Sequence, residues 1–334
     1  MQKANEPRGM LRSSEDLPPE LAPPFFWQLS PPRVSPAEHP DDSCFSVKDP
    51  TVIYDSGRWH LFCTIRSAVR THQIEYISFD RWENANSVPR HILRCRRGYF
   101  CAPQVLYFRP QKKWYLVYQV GESNRDLKLQ PAFSTSDNIA DPGSWAPAKL
   151  FFPDCDPKGV SRWIDFWVIC DAERAYLFFT SLDGRMWRMW TPLKHFPYGF
   201  DHCSLALKAD IFEASHTYCL LGEKKFLTVV EAQGATGRRY YKAYITDHLE
   251  GKWRPLSDTE EHPFAGARNV RQPDPSWTDN ISHGELIRVG YDETLTVDPA
   301  NLQFLIQGVP DKLKKGKKYG DIPWQLGLLT QISQ

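Results

Sequence analysis

The chain has 334 residues, 41% of them hydrophobic, with 41 Lys and Arg against 40 Asp and Glu. A formal charge of +1 removes the electrostatic argument for a nucleic-acid or membrane-surface partner, and it favours a neutral substrate. The eight cysteines show no metal or redox spacing and lie mostly in apolar runs, as reduced thiols do, although a pairing of Cys95 with Cys101 stays open.

The first predicted element is a proline-rich arm over residues 1–43, which we expect either to wrap the folded domain or to be disordered. Its start, MQKANEPRGMLRSSEDLPPELAPPFF, lacks the apolar run of a secretion signal. No later stretch approaches the roughly 18 apolar residues of a membrane span. The sequence therefore predicts a soluble protein with one folded domain over residues 44–334.

One pattern repeats along that domain: a polar or small residue, an apolar strand, a short polar turn and an aromatic-rich strand. Its five copies contain, in chain order, KDPTVIYDSGRWHLFCTI, APQVLYFRPQKKWYLVYQ, DFWVICDAERAYLFFTSLDGRMWRMW, EASHTYCLLGEKKFLTVVEAQ and HGELIRVGYDETLTVDPANLQFLIQG. Their spacing brackets and exceeds the roughly 40–50 residues of a four-stranded propeller blade. Further strands fit between the copies, as where Asp183-Gly184 predicts a hairpin turn.

The repeats predict an all-β fold, a five-bladed β-propeller, with a β-sandwich as the alternative. In a propeller the innermost strand of each blade runs along the central channel, so equivalent positions form a ring around its opening. The five equivalent positions are Asp49, Ala102, Asp165, Glu213 and His283. Three of them are acids.

Three acids that converge suggest catalysis. A single acid at the start of a strand is as often an ordinary turn residue, but gathering three costs like-charge repulsion unless the resulting pKa shifts are used. Hydrolysis of a glycosidic bond needs one carboxylic acid as proton donor and one carboxylate as base or nucleophile, and a third acid can keep the donor protonated. The ring therefore predicts a glycoside hydrolase with Asp49 as base.

The motifs also resemble a known family. The blocks SVKDPTVIY, APQVLYF, WYLVYQ, DIFEASHTY, KKFLTVVEAQG, PFAGARNV, SWTDNISHGELIR, LTVDPANLQFLIQG and LGLLT are similar, in this order, to glycoside hydrolase family 62, the α-L-arabinofuranosidases, which share a clan with family 43. The resemblance covers about residues 45–330. It implies a five-bladed propeller and a reaction that inverts the anomeric centre.

Carried over by motif, the resemblance implies a role for each ring residue. Asp49 in VKDP would activate water as the general base, and Glu213 in IFEASHTY would be the general acid. Asp165 in RWIDFW would orient the sugar and modulate the pKa of the acid. His283 in ISHGE matches the histidine that holds an axial calcium ion in the family, so we expect calcium as a cofactor.

Five further positions are expected to contact the substrate. Lys48 is placed to bind the sugar or to pair with the base, and Gln119 to recognise a hydroxyl group from the channel wall. Tyr319 falls where the family has a substrate-binding tyrosine. Val120 replaces a usual tryptophan wall and Gln325 a usual arginine, so we expect the acid–base machinery to be kept while the sugar contacts are altered.

Three interpretations follow. The first is an inverting, exo-acting α-L-arabinofuranosidase that removes arabinofuranosyl side groups from arabinoxylan-type polysaccharides or oligosaccharides. The second keeps the mechanism but acts on a different branch sugar, and the third is a binding propeller without catalysis, against which the three acids argue. We expect a monomer with a neutral carbohydrate as partner and no nucleic acid or membrane. Localisation stays open, because the family resemblance implies secretion but this chain shows no signal.

Overall fold

The computed structural model describes residues 17–39 and 42–333, and these residues form a protein built almost entirely of β-strands. In chain order the strands are β1 Trp27–Leu29, β2 Glu38–His39, β3 Asp42–Asp55, β4 Arg58–Ser67, β5 Gln73–Phe79, β6 Arg90–Ile92, β7 Phe100–Phe108, β8 Lys113–Gly121, β9 Leu129–Ser136, β10 Lys149–Leu150, β11 Ile164–Cys170, β12 Arg174–Thr180, β13 Arg185–Pro192, β14 Asp201–Lys208, β15 His216–Leu220, β16 Phe226–Gln233, β17 Arg239–Thr246, β18 Arg254–Ser257, β19 Val270–Arg271, β20 Ser282–Leu286, β21 Thr296–Val297, β22 Gln303–Gly308 and β23 Gln325–Gln331. Helical segments are short, namely the α-helix α1 Asp311–Lys314 and the 3₁₀ turns Pro19–Leu21, Trp82–Asn84, Arg109–Gln111, Leu193–His195, Pro299–Asn301 and Tyr319–Asp321.

The strands form five separate sheets, which are the blades of a five-bladed propeller. Blade one contains β2 to β6, blade two β7 to β10, and blade three β11 to β14. Blade four contains β15 to β18 with β21, and blade five joins β19, β1, β23, β22 and β20. The predicted propeller is confirmed, and the sandwich alternative is excluded.

Local sequence explains the blades. The turn between β3 and β4 uses Ser56 and Gly57, both with positive φ (50° and 79°), which suits a tight hairpin between twisted strands. The predicted turn at Asp183-Gly184 joins β12 to β13, and Gly184 has a φ of 82°. The inner strands are buried on both faces because each blade packs against two neighbours. Burial is therefore nearly continuous along β7, β11 and β20 instead of alternating.

The N-terminal segment closes the ring. Strand β1 pairs antiparallel with β23, with Trp27 opposite Gln331, and parallel with β19. The described part of the predicted arm therefore supplies a strand to blade five, and the predicted boundary after residue 43 falls inside β3. The remaining parts of the arm, residues 1–16 and 40–41, lie outside the described residues.

All eight cysteines of the sequence fall within the described ranges and are free thiols, so the pairing of Cys95 with Cys101 that the sequence left open does not form. Both side chains are buried. Within residues 17–39 and 42–333, no helix is long and apolar enough to cross a membrane.

Candidate active site

The inner strands of the first three blades carry a β-bulge at the same level. Asp49, Ala102 and Asp165 have φ angles of 48°, 52° and 56°, and the pairing of each inner strand with its neighbour skips at that residue. A bulge re-aims the side chain of its extra residue. The two bulged aspartates meet at His283, whose Nδ1 lies 3.4 Å from Asp49 Oδ1 and 4.0 Å from Asp165 Oδ2.

Blade four differs from the predicted alignment by one residue. Its left-handed residue is Ala214, with a φ of 53°, and Glu213 comes immediately before it. The backbone of Glu213 pairs with Glu231 of β16, as that of Lys48 pairs with β4. The structural equivalent of Asp49 is therefore Ala214, and the prediction that Glu213 occupies that position was wrong by one residue, although Glu213 still joins the cluster.

A ring of hydrogen bonds joins neighbouring blades at this level. Backbone N–H groups at or beside the bulges donate to polar side chains of the preceding blade, and blade one donates to blade five. The five bonds are Ala102 N to Thr64 Oγ1 (2.9 Å), Asp165 N to Gln119 Oε1 (3.3 Å), Ala214 N to Asp165 Oδ2 (3.1 Å), His283 N to Glu231 Oε2 (2.6 Å) and Asp49 N to Gln307 Oε1 (2.8 Å). The site is thus held by every blade.

Asp49 lies between two cationic or potentially cationic side chains. Lys48 Nζ is 3.3 Å from its Oδ2, and His283 Nδ1 approaches its other oxygen. Burial alone would raise the pKa of Asp49, but the charges of Lys48 and His283 and a hydrogen bond from Thr64 outweigh burial and lower it. The carboxylate is therefore ionised, as a general base must be.

Glu213 has the opposite environment. Burial raises its pKa well above the ordinary value, and the nearby charges of Asp165 and Glu231 raise it further, while Arg239 opposes them. The Arg239 guanidinium lies 3.1 Å from Glu213 Oε1 and also contacts Glu231. Glu213 therefore holds its proton at a pH where Asp49 has lost its own, which is the state of a general acid.

Asp165 lies between these two groups. Its Oδ2 accepts the N–H of Ala214, the neighbour of Glu213, and also faces His283 on the side of Asp49. Burial raises its pKa, the charge of His283 opposes this, and the charge of Asp49 adds to it. Asp165 therefore interacts electrostatically with both Asp49 and Glu213.

Three predicted substrate contacts lie at this cluster. The Tyr319 ring covers Lys48 Nζ, 4.7 Å from its centroid, and stands 5.8 Å from the Arg239 guanidinium, with 40% of the tyrosine exposed. Gln119 belongs to the ring of inter-blade hydrogen bonds, because its amide oxygen accepts from the backbone of Asp165. Its amide nitrogen already donates to Tyr99 Oη at 3.0 Å. Gln119 therefore supports Asp165, while Lys48 and Tyr319 form a wall of the pocket.

Two predicted contacts point elsewhere. Val120 is completely buried in an apolar cluster with Phe62 and Ile74, because it follows Gln119 in a strand and so projects from the opposite face. Gln325 begins β23 and lines a surface depression beside Trp277. The structure brings neither side chain to the carboxylates.

The donor atoms around His283 bear on the predicted calcium ion. His283 offers one ring nitrogen besides the Nδ1 that faces the aspartates. Calcium takes six to eight oxygen ligands, and the described part of the chain contains no group of three or more His, Cys, Asp or Glu side chains that could hold a metal ion. The residues do not fit a calcium cage built by the protein itself.

Two buried residues that hold Glu213 in place are not among those predicted from the sequence. Glu231 of β16 is fully buried and accepts hydrogen bonds from Ser282 and from the backbone of His283. Arg239 begins β17 and bridges Glu231 and Glu213. A signal existed, because a glutamate in the middle of the apolar run FLTVVEAQ needs a buried partner.

Comparison with known proteins shows to which family the chain belongs. Residues 35–330 match the model described as glycosyl hydrolase family 62. The chain belongs to this family. It is 37% identical over 318 residues to "Alpha-L-arabinofuranosidase C" of Cellvibrio japonicus, covering 93% of this family 62 chain and 48% of that protein. The chain thus spans about half the length of this curated relative.

Solved structures agree. The catalytic domain of the Coprinopsis cinerea family 62 α-L-arabinofuranosidase is 38% identical with a TM-score of 0.84, and the match covers 92% of this chain and 97% of that one. The Podospora anserina α-L-arabinofuranosidase in complex with cellotriose is 34% identical with a TM-score of 0.85, covering 94% and 99%. A thermostable family 43 glycoside hydrolase, 14% identical over 86% of this chain and 90% of its own with a TM-score of 0.56, shares the fold.

Proposed function

We propose that this glycoside hydrolase is an inverting, exo-acting α-L-arabinofuranosidase. The observation that carries the proposal is the pair of opposite pKa shifts in one buried pocket, lowered for Asp49 and raised well above the ordinary value for Glu213. Two carboxyl groups whose environments separate their pKa values are the acid and base that glycoside hydrolysis needs. We take the sugar, α-L-arabinofuranose, from the names of the relatives.

In the proposed reaction, Asp49 takes a proton from a water molecule whose oxygen attacks the anomeric carbon. The glycosidic bond breaks as Glu213 gives its proton to the departing oxygen, so the sugar is released with inverted configuration. Asp165 sustains the raised pKa of Glu213, and Lys48 and Tyr319 orient the sugar. Each carboxyl group ends with its protonation state exchanged, and solvent restores both.

We propose arabinofuranosyl side groups of an arabinoxylan-type polymer as the substrate. Two structural relatives were solved with linear β-linked oligosaccharides, cellotriose and xylotriose. A polymer backbone of that shape beside the pocket would present one side sugar at a time to the buried acids, which fits exo-action. The same mechanism on a different branch sugar is the second outcome of the test below.

A calcium ion held by His283 and water stays a proposal. Such an ion would add positive charge near the aspartates. Chelation with EDTA followed by calcium return should lower and then restore the thermal midpoint. An unchanged midpoint, with His283→Ala equally insensitive to calcium, would argue against the ion.

The experiment that tests the function is release of free arabinose from arabinoxylan and arabino-oligosaccharides, with Glu213→Gln as control. NMR of the first product formed distinguishes inversion from retention. Release of the inverted sugar by the wild type alone supports the proposal. No release of arabinose by folded protein contradicts it, and release of another sugar from a mixed glycan panel selects the alternative substrate.

A further inference from the structure

The loop between β22 and β23, residues 309–324, forms one wall of the active site and is unusually basic. Its sequence is VPDKLKKGKKYGDIPW, and we call it the lysine loop. The loop carries Tyr319 over Lys48, and the exposed residues Lys317 and Lys318 directly precede Tyr319 in the loop. Charges on this loop can therefore act on a bound substrate.

Four of the five lysines in the loop are free. Lys314 donates to the carbonyl of Gly237 at 2.6 Å and to Asn280 Oδ1 at 3.1 Å, which anchors the loop to blades four and five. The side chains of the other four are exposed, and their ammonium groups make no hydrogen bond or ion pair with any residue that the structure describes: Lys312, Lys315, Lys317 and Lys318.

Acidic residues close to the loop are already paired. Arg238 contacts both Asp311 (2.7 Å) and Asp279 (3.4 Å). Arg66 stands 3.9 Å from Asp321. The four free lysines are therefore not neutralised by their neighbours, and the formal charge of +1 for the whole chain hides a strongly positive rim.

Two surface depressions flank the loop and combine lysines with aromatic rings. One, of about 560 Å³, is lined by Lys312 and Trp277, and the other, of about 350 Å³, by Lys317. Phe45 and Pro323 line both, so the two depressions adjoin. Aromatic faces suit the apolar faces of sugar rings, and ammonium groups suit carboxylates.

The Trp277 ring is held in place by the backbone. A Cβ atom at Gly308 would lie 2.6 Å from the ring, and one at Gly327 would lie 2.4 Å from it. The indole nitrogen donates to the carbonyl of Ser30 at 2.9 Å. The ring is therefore a fixed surface beside the exposed lysine of the same depression, Lys312.

We propose that the lysine loop and its two depressions bind a glycan chain that carries carboxylate groups, so that the arabinose-bearing substrate also contains uronic acid residues. The inference rests on the proposed function, since it names the class of polymer presented to the same pocket. It replaces the neutral substrate expected from net charge with an acidic one. Sugar-binding aromatics beside the lysines favour a uronate glycan over a polyphosphate.

The test compares glucuronoarabinoxylan with the same polymer after its carboxyl groups are reduced to alcohols. Arabinose release is measured at low and high salt for the wild type and for Lys312→Gln/Lys317→Gln. Lys224→Gln/Lys252→Gln is the matched control, because both lysines are exposed on loops at the opposite face of the propeller. Exposed charge pairs are worth little each, so we expect the rim variant to raise KM for the native polymer about three- to tenfold.

We expect the wild type to have a lower KM for the native polymer than for the reduced one. This difference in KM should disappear in about 0.5 M salt, because exposed charges are screened. It should also disappear in the rim variant, Lys312→Gln/Lys317→Gln, and remain in the control variant, Lys224→Gln/Lys252→Gln. An equal KM for both polymers, or an unchanged preference in the rim variant, overturns the proposal.

Binding is measured separately by affinity electrophoresis in gels that contain either polymer. Retardation needs no turnover, so selective retardation by the native polymer supports the acidic-glycan proposal even where arabinose release fails and the proposed hydrolysis is wrong. Equal retardation by both polymers contradicts it. Displacement by polyphosphate at the same charge concentration as glucuronate oligosaccharides would identify a general polyanion surface and also overturn it.

Discussion

Asp49 and Glu213 are buried in one pocket to nearly the same extent, 3% and 6% exposed, yet their pKa values move in opposite directions. Asp49 is flanked by Lys48 and His283. Glu213 shares its arginine with Glu231 and stands near Asp165. The comparison teaches that desolvation alone does not assign an acid and a base, because the charge of the neighbours decides the direction.

The largest expected effect comes from removing either proton-transfer group. Glu213→Gln and Asp49→Asn should each lower kcat by about 10²–10⁴-fold, because a positioned acid or base contributes about that much. Initial rates on arabinoxylan measure the loss, and circular dichroism confirms the fold. Near-wild-type turnover by both folded variants would remove the assignment of roles.

Removing the charge of Asp165 should shift the alkaline limb of the pH profile. The Asp165 charge raises the pKa of Glu213. Since Glu213 must be protonated, activity is lost as pH rises through that pKa. Asp165→Asn should therefore move the alkaline limb of kcat/KM to lower pH and reduce the neutral-pH rate about tenfold or more. An alkaline limb that stays in place would mean that another group titrates there.

Removing the charge of Lys48, which lies beside Asp49, should shift the acid limb of the pH profile. The Lys48 charge lowers the pKa of Asp49. Since Asp49 must be ionised, activity is lost as pH falls through that pKa. Lys48→Met should move the acid limb to higher pH. Tyr319→Phe keeps the ring and all charges, so it should leave this limb unmoved; a shift in both variants would assign the effect to packing.

The smallest effect is on stability. The unfolded pKa of Glu213 is near 4.5 and the folded pKa is raised, so the folded state loses stability as pH rises above 4.5 toward the folded value. Glu213→Gln removes this loss and should raise the free energy of unfolding by about 1 kcal/mol at pH 7, with no gain at pH 4. Denaturant midpoints at both pH values measure the difference. An equal gain at both would exclude a titration effect.

The sequence predicted the blades better than the side-chain directions. Repeats of apolar runs show where inner strands begin, so Asp49, Asp165, Glu213 and His283 were placed together without a structure. The β-bulges could not be predicted, because no residue type in a single sequence marks a left-handed backbone conformation such as that of Ala102. That is why the alignment failed by one residue at Glu213.

Other failures have different causes. Val120 was assigned by its position after Gln119, although strand alternation sends neighbouring side chains to opposite faces. Arg239 and Glu231 escape sequence-based prediction because the ring positions compare only the start of the innermost strand of each blade, whereas these residues lie on β17 and β16. Their partners come from other strands and from blade five, and strand pairing across tens of residues is not written in local composition.

The closing seam of the ring has a consequence for how this protein is made. Trp27 pairs with Gln331, and the backbone of Asp49 bonds to Gln307. During synthesis from the N-terminus, Asp49 therefore lacks its blade-five partner until β22 has emerged. Contacts of such long sequence separation form late and slowly. A nascent chain accordingly completes the pocket around Asp49 only after β22 and β23 have emerged and β1 has paired with β23.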